Sequence, residues 1–303
     1  TNKSMAFKSG FITIVGRPNA GKSTLLNLLT GEKVAIISKK PQTTRHNIRT
    51  VVTTENYQMV FVDTPGIHKP KNKLGEYMME EAFSTFDDVD VILYLVDATD
   101  KSIGPGDSMI IEALKKSGTP AVLLMNKIDL VEKQSLLPLM AQYNEAFDFE
   151  EIIPVSALKG ETAAVVTQAI EKLLPEGEKY YPDDMLTDQQ EKVLAQELIR
   201  EKLLYLLNDE VPHGIGVEVI RFKEDAQKNM IEIDANIYCE KESHKGIVIG
   251  RDGAMLKKVG TLARQDMERL FDSKVFLKLW VKVKEDWRNS QFMLDELGYK
   301  AKE

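Results

Sequence analysis

A lysine and a serine, Lys22-Ser23, close the stretch Gly16-Arg17-Pro18-Asn19-Ala20-Gly21-Lys22-Ser23, which has the spacing G-x-x-x-x-G-K-[ST]. Residue types at this spacing suit one task, holding a phosphate. Glycines let backbone N–H groups curl around an anion with no Cβ in the way. A helix that opens at the lysine aims its positive dipole end at the same anion. Lys22 is then the group that reaches the β- and γ-phosphates, and the Ser23 hydroxyl ligates Mg²⁺. Gly16, Asn19, Ala20, Gly21 and Thr24 complete the cradle. The context agrees, because the apolar run Phe11–Val15 precedes the loop and the helical pattern Thr24–Leu29 follows it.

Three further constellations stand after apolar runs. Asp63-Thr64-Pro65-Gly66 closes Met59-Val60-Phe61-Val62. A carboxylate there can organise Mg²⁺, directly or through a water, while the Gly66 N–H can face a γ-phosphate. Asn126-Lys127-Ile128-Asp129 closes Ala121–Met125. Asp129 can accept two hydrogen bonds from the N1–H and N2–H₂ edge of guanine, a pattern adenine cannot supply. Ser156-Ala157-Leu158 would put a backbone N–H near the guanine O6. Between the first and second runs lies the polar segment Lys39-Lys40-Pro41-Gln42-Thr43-Thr44-Arg45, where Thr44, in preference to Thr43, offers a hydroxyl to Mg²⁺ and a γ-phosphate. Any one of these tetrapeptides alone is an ordinary turn or strand cap. Their order points to a site for GTP or GDP with Mg²⁺, in which Lys22, Thr44 and Gly66 serve hydrolysis.

A second glycine motif, Lys245-Gly246-Ile247-Val248-Ile249-Gly250-Arg251-Asp252-Gly253, leads into Ala254-Met255-Leu256-Lys257-Lys258. Two glycines at G-x-x-G spacing ahead of a helix allow a single-stranded backbone to approach closely. Lys245, Gly246, Gly250, Arg251, Asp252, Gly253, Lys257 and Lys258 are the candidate RNA contacts, with Asp252 an unhelpful charge beside phosphate. The chain carries a formal net charge of −7, yet Lys241 to Lys284 holds eleven Lys/Arg against five Asp/Glu, a local +6. Lys274, Phe276, Lys278, Trp280, Lys282 and Lys284 alternate onto one strand face. That face either stacks bases or lies under the terminal helix, and the sequence leaves both open.

The elements that position these groups follow from pattern. At 303 residues, two domains are the natural reading, and 43% hydrophobic with 29% charged residues argues against disorder. No apolar run is long enough to span a bilayer, no signal-peptide core is visible, and the single cysteine, Cys239, cannot form an intrachain disulfide. Apolar strands at Phe11–Val15, Ile48–Thr53, Tyr57–Val62, Val91–Val96, Ala121–Met125 and Ile152–Val155 alternate with helical patterns. This predicts an α/β domain with a mostly parallel sheet covered on both faces. The linker is expected at 179–186, where prolines and charges cluster, separating a GTPase domain at 1–178 from a second domain at 187–303. The latter reads as a long helix over Thr187–Leu207, two strands, two helices, a strand and a short terminal helix, and with Val248-Ile249 ahead of the G-x-x-G loop it resembles a KH domain of the helix-first, type II order.

Gln42-Thr43-Thr44-Arg45 and Asp63-Thr64-Pro65-Gly66-Ile67-His68, with the KH motif and the tail Glu285-Asp286-Trp287-Arg288, resemble the Era family of GTPases. The resemblance covers essentially the whole chain, although Leu158 stands where the family has lysine and Ala20 where valine is usual. It implies a two-domain GTPase that binds single-stranded RNA at the 3′ end of small-subunit ribosomal RNA and assists assembly of the small ribosomal subunit. A monomer in the cytoplasm, with peripheral association at the inner face of the cell membrane, is the accompanying expectation. Ile67 occupies the position at which Ras-like enzymes carry a water-orienting glutamine, so slow intrinsic hydrolysis is expected. Two rivals remain at this point. One is a membrane-surface signalling GTPase whose basic C-terminal domain meets anionic lipid, and the other is a metabolic phosphoryl-transfer enzyme, disfavoured by the guanine motif and Ile67.

Overall fold

The computed structural model describes residues 6–18, 20–31, 48–67, 69–157, 162–183, 191–209 and 211–299. Asn19, Thr44 and Leu158, three of the site residues expected from sequence, lie outside these. The chain forms two compact units, Thr1–Pro70 with Met78–Asp188, and Lys71–Tyr77 with Gln189–Glu303. Among the described residues no helix is long and apolar enough to cross a membrane.

The first unit is built on a six-stranded sheet in the order β2-β3-β1-β4-β5-β6. The strands are β1 (Lys8–Val15), β2 (Ile48–Thr53), β3 (Tyr57–Asp63), β4 (Val91–Asp97), β5 (Ala121–Asn126) and β6 (Glu151–Pro154). All neighbours are parallel except β2 with β3. Alternation along each strand feeds two cores. Ile12, Ile14, Leu93, Leu95, Val122 and Leu124 face one core, shared with helices α1 (Lys22–Thr30) and α5 (Thr162–Leu173). Val15, Ile92, Tyr94, Val96, Leu123 and Met125 face the other, shared with α2 (Lys73–Ser84), α3 (Pro105–Ser117) and α4 (Lys133–Ala146). Burying each such side chain is worth about 1.5–3 kcal/mol, which is why continuous apolar runs become central parallel strands. Chain order reverses on either side of β1, so the crevice at its carboxyl end is where a ligand belongs in such a sheet. The segment after α5 stays tied to this unit. Ser9 N donates to Pro175 O at 3.2 Å, Gly177 N to Phe7 O at 3.0 Å, and the buried Gln58 Oε1 accepts from Tyr180 N at 2.8 Å.

The second unit stacks α6 (Glu191–Leu206), α7 (Glu242–Ile249) and α8 (Ala254–Phe271) on a three-stranded sheet of order β7-β8-β9. Here β7 (Gly216–Asp225) is antiparallel and β9 (Lys274–Val283) parallel to the central β8 (Met230–Cys239). Leu198, Ile199 and Leu203 of α6 join Ile231, Ile233, Ala235 and Ile237 of β8 in one core. The last helix among the described residues is short, α9 (Gln291–Glu296), capped by the Ser290 hydroxyl accepting from Met293 N.

Candidate functional site

Every described group that the sequence assigns to phosphate or guanine sits at the carboxyl end of β1, β3, β5 or β6. Gly21 precedes α1 with φ 103°, and a Cβ there would lie 2.3 Å from Asn126 Nδ2, so only glycine fits. That amide pins two loops together. Asn126 Nδ2 donates to Ala20 O at 2.9 Å, while its Oδ1 accepts from Ala157 N at 2.8 Å. Asn126 therefore holds the phosphate loop against the 156–157 turn. Lys127, in the left-handed region at φ 66°, sends its ammonium to Asp97 Oδ2 at 2.6 Å. Ser156 Oγ donates to Asp129 Oδ1 at 2.8 Å, fixing one carboxylate oxygen. Ser156 is tied in turn to Thr162 by bonds of 3.2 and 3.0 Å.

At the phosphate end Lys22 and Asp63 are both buried, and Ser23 and Thr24 follow in the first turn of α1. Burial pushes the Lys22 ammonium below its ordinary value, and the charge of Asp63 works the other way without overcoming it. An ammonium desolvated in this way is primed for a polyanion. Thr64 Oγ1 donates to Ile14 O at 2.6 Å, and Ile67 N donates to Gly16 O at 2.9 Å, so the turn after β3 is laced to β1 and the phosphate loop. The Ile67 side chain is fully buried in the core and cannot act on a water. Ser23 and Asp63 supply a hydroxyl and a carboxylate, hard oxygen donors that suit Mg²⁺.

Sequence reasoning missed one network here. Arg17, inside the phosphate loop, is held by Asp100 and, through Nε at 2.8 Å, by Asp107 Oδ2. The fully buried Asp107 also accepts from the Tyr94 hydroxyl at 2.6 Å. Burial raises the Asp107 carboxyl above its ordinary value, with the Tyr94 bond and Arg17 opposing. The guanidinium is thus spent on fixing the loop to α3 rather than offered to a ligand. An acidic residue in the first turn of a helix was the only visible signal, and it is a common one.

In the second unit, Lys245 and Gly246 lie within α7, and the G-x-x-G residues form the turn between α7 and α8, with Lys257 and Lys258 exposed on α8. Gly250 has φ 75° and ψ 175°, a region essentially confined to glycine, and its Cβ would lie 2.6 Å from Met255 Cβ. Gly253 also has positive φ, but a Cβ there meets nothing within 4 Å. Asp252 adopts the left-handed conformation at φ 53°, which its short polar side chain tolerates. The outer face of β9 is open. Phe276 is 52% and Trp280 44% exposed, because the terminal segment packs elsewhere, with Trp287 and Leu297 closing over Gly216 at the start of β7.

The sequence matches the family model of 50S ribosome-binding GTPases over residues 11–127 and that of KH domains over residues 210–288. It is 55% identical to the GTPase Era of Clostridium kluyveri over 293 residues, covering 97% of this chain and 99% of the relative. It is likewise 55% identical to that of Ruminiclostridium cellulolyticum over 297 residues, covering 98% and 99%. Among solved structures it resembles Era in complex with MgGDPNP and nucleotides 1506–1542 of 16S ribosomal RNA, with a TM-score of 0.92 and 40% identity over 97% of this chain and 100% of that one. An Aquifex aeolicus Era variant bound to GDP and AlF₄⁻ is similar to the same degree, TM-score 0.92 and 40% identity over 97% and 100%.

Proposed function

The chain belongs to the GTPase Era family, and from that premise we propose a GTP-hydrolysing switch that binds the single-stranded 3′ end of small-subunit ribosomal RNA and assists assembly of the small subunit. The observation that carries this reading is the convergence of phosphate-loop and guanine-motif residues at the carboxyl end of one sheet, in a chain whose second unit is a KH fold. In this reading Lys22 binds the β- and γ-phosphates, and the backbone at Gly16, Asn19, Ala20, Gly21, Thr24 and Gly66 surrounds them. Asp129 takes the guanine edge, supported by Ser156 and by the main chain at Ala157 and Leu158, while Asn126 and Lys127 hold the loops in place. Ser23, Thr44 and Asp63 would hold Mg²⁺, which when bound supplies neutralisation of phosphate charge. The burial of Ile67 supports a slow intrinsic rate, since no side chain at that position orients water. The protein acts as a monomer in the cytoplasm, with peripheral contact at the inner membrane face as a secondary site of residence.

The test is GTP turnover measured with and without short RNAs that carry the small-subunit 3′ tail, against scrambled RNAs of equal length. Faster turnover with the tail alone supports the reading. RNA that neither binds nor changes turnover removes it. Gly253→Asp is the milder loop control than a change at Gly250, because a Cβ there meets nothing within 4 Å, and although φ 76° strains any side chain, aspartate is among the residues that tolerate it best.

A further inference from the structure

The outer face of β9 carries a chemistry that the G-x-x-G turn does not account for. Phe276 and Trp280 stand four residues apart on one side of a strand, about 13 Å at the usual rise. Lys278 lies between them, its ammonium 5.4 Å from the Phe276 ring centroid, and Lys274 and Lys282 extend the strip at either end. All five are exposed. The adjoining row of β8 is polar. Glu232, opposite Phe276, is paired with Arg221 at 2.7 Å, Asp234 stands opposite Lys278, and Asn236 opposite Trp280. Lysines on an edge strand deter pairing with other strands, which would explain the charges but not two large exposed aromatics. Two exposed rings on one strand face, flanked by cations at a regular spacing, suit a planar anionic occupant.

We propose that this face is a second nucleic-acid surface, in which Phe276 and Trp280 each stack a base of single-stranded RNA while Lys274, Lys278 and Lys282 meet its phosphates. The partner class rests on the RNA-binding reading above, but the site is a different one. The α7–α8 turn clamps backbone, whereas the β9 face offers rings to bases. Charge complementarity selects the occupant, and the two exposed rings select nucleobases over a surface of phosphate alone.

The chain carries its own reporter. It has two tryptophans, of which Trp287 is fully buried and Trp280 exposed, so acrylamide reaches Trp280 first, and the part of an emission change that is lost in Trp280→Phe belongs to Trp280. Oligouridylate and oligoadenylate of about twelve nucleotides, a length near the single-strand site of one small domain, are titrated against the full chain with acrylamide as quencher. We expect RNA to change Trp280 emission and shield it from acrylamide, and to do so in the Gly253→Asp protein as well. Phe276→Ala with Lys278→Ala should raise the half-saturating RNA concentration about tenfold. In filter binding, Trp280→Phe should retain affinity and Trp280→Ala lose it. If the same RNA is retained on filters while Trp280 emission stays constant, the β9 face is not a site and the turn alone binds. If no RNA is retained at all, both readings fall. A Trp280 response to phosphatidylglycerol vesicles that RNA does not compete away would make the face a lipid surface and overturn the proposal.

Discussion

Asp129 and Asp97 are two carboxylates on neighbouring strand ends with different tasks, and their hydrogen bonds separate them. One Asp129 oxygen accepts from Ser156 Oγ at 2.8 Å, which fixes the plane of the group without neutralising it. Asp129→Asn replaces an acceptor by a donor on the guanine edge. It should weaken GTP about 100-fold, the loss of two charge-assisted bonds, and admit xanthosine triphosphate, which presents an acceptor at the matching position. Competition binding measures both, and an unchanged preference for guanine would remove Asp129 from the base site. Asp97 instead serves Lys127. Burial alone would raise its carboxyl, but hydrogen bonds from Lys127 and Thr99 outweigh burial and hold it below the ordinary 3.8. A carboxyl depressed in the folded state contributes stability above its unfolded value, and that contribution disappears as pH falls through the folded value. Stability of the native protein should therefore drop on acidification below about pH 4, and Asp97→Asn should flatten that part of the curve. Urea unfolding across this range decides it, and parallel curves for the two proteins would deny Asp97 its role.

At the scale of elements, Gln58 on β3 shows how a single side chain can anchor a connecting segment. Its amide takes both ends of the Tyr180-Tyr181 backbone, accepting from the two N–H groups at 2.8 and 3.1 Å and donating to Tyr181 O at 2.9 Å. Phe11 packs edge-on against the Tyr180 ring at 4.9 Å, with the Arg49 guanidinium 5.8 Å from the Phe11 centroid. Gln58→Ala would remove three hydrogen bonds from this partly exposed segment, each worth about 0.5–1.5 kcal/mol, so the segment should open about tenfold more often. Chymotryptic cleavage between Tyr180 and Tyr181 reads this directly, and an unchanged cleavage rate would mean that the aromatic packing holds the segment alone. Little of this was visible in the sequence, where 175–184 reads only as proline, glycine and charge. The other strands of the first unit were legible to within a residue or two, while β1 begins at Lys8, three residues ahead of the expected Phe11, where Lys8-Ser9-Gly10 breaks the apolar run but its ladder to β3 continues. β7 runs on through Lys223-Glu224-Asp225, charges that look like a loop in the sequence, because its ladder continues until Asp225 pairs with Met230. Pairings such as Gln58 with Tyr181, Arg17 with Asp107 and the buried Arg200 with Glu197 depend on which elements meet or which face is covered, and residue type alone does not report that.

For the whole molecule, the family reading requires that nucleotide and RNA act on one another, and linkage makes this testable without assuming how. If a non-hydrolysable GTP analogue changes the affinity for RNA by some factor relative to GDP, then RNA must change the preference for the analogue over GDP by the same factor. Coupling of the usual size for a switch would make that factor about 5 to 150. Both halves of the cycle are measurable by titration, one with labelled RNA and one with labelled nucleotide. In the Gly253→Asp protein the nucleotide half should lose its response to RNA, because the glycine lies in the α7–α8 turn and far in sequence from every nucleotide group. Trp280 emission can be followed in the same titrations and reports separately on the β9 face. Equal affinities for RNA in both nucleotide states would leave a GTPase and an RNA-binding domain joined in one chain without a switch, since a ligand that binds two states equally shifts neither. A factor above about 5 in both directions, lost together in the loop variant, is the outcome that a nucleotide-governed RNA binder requires.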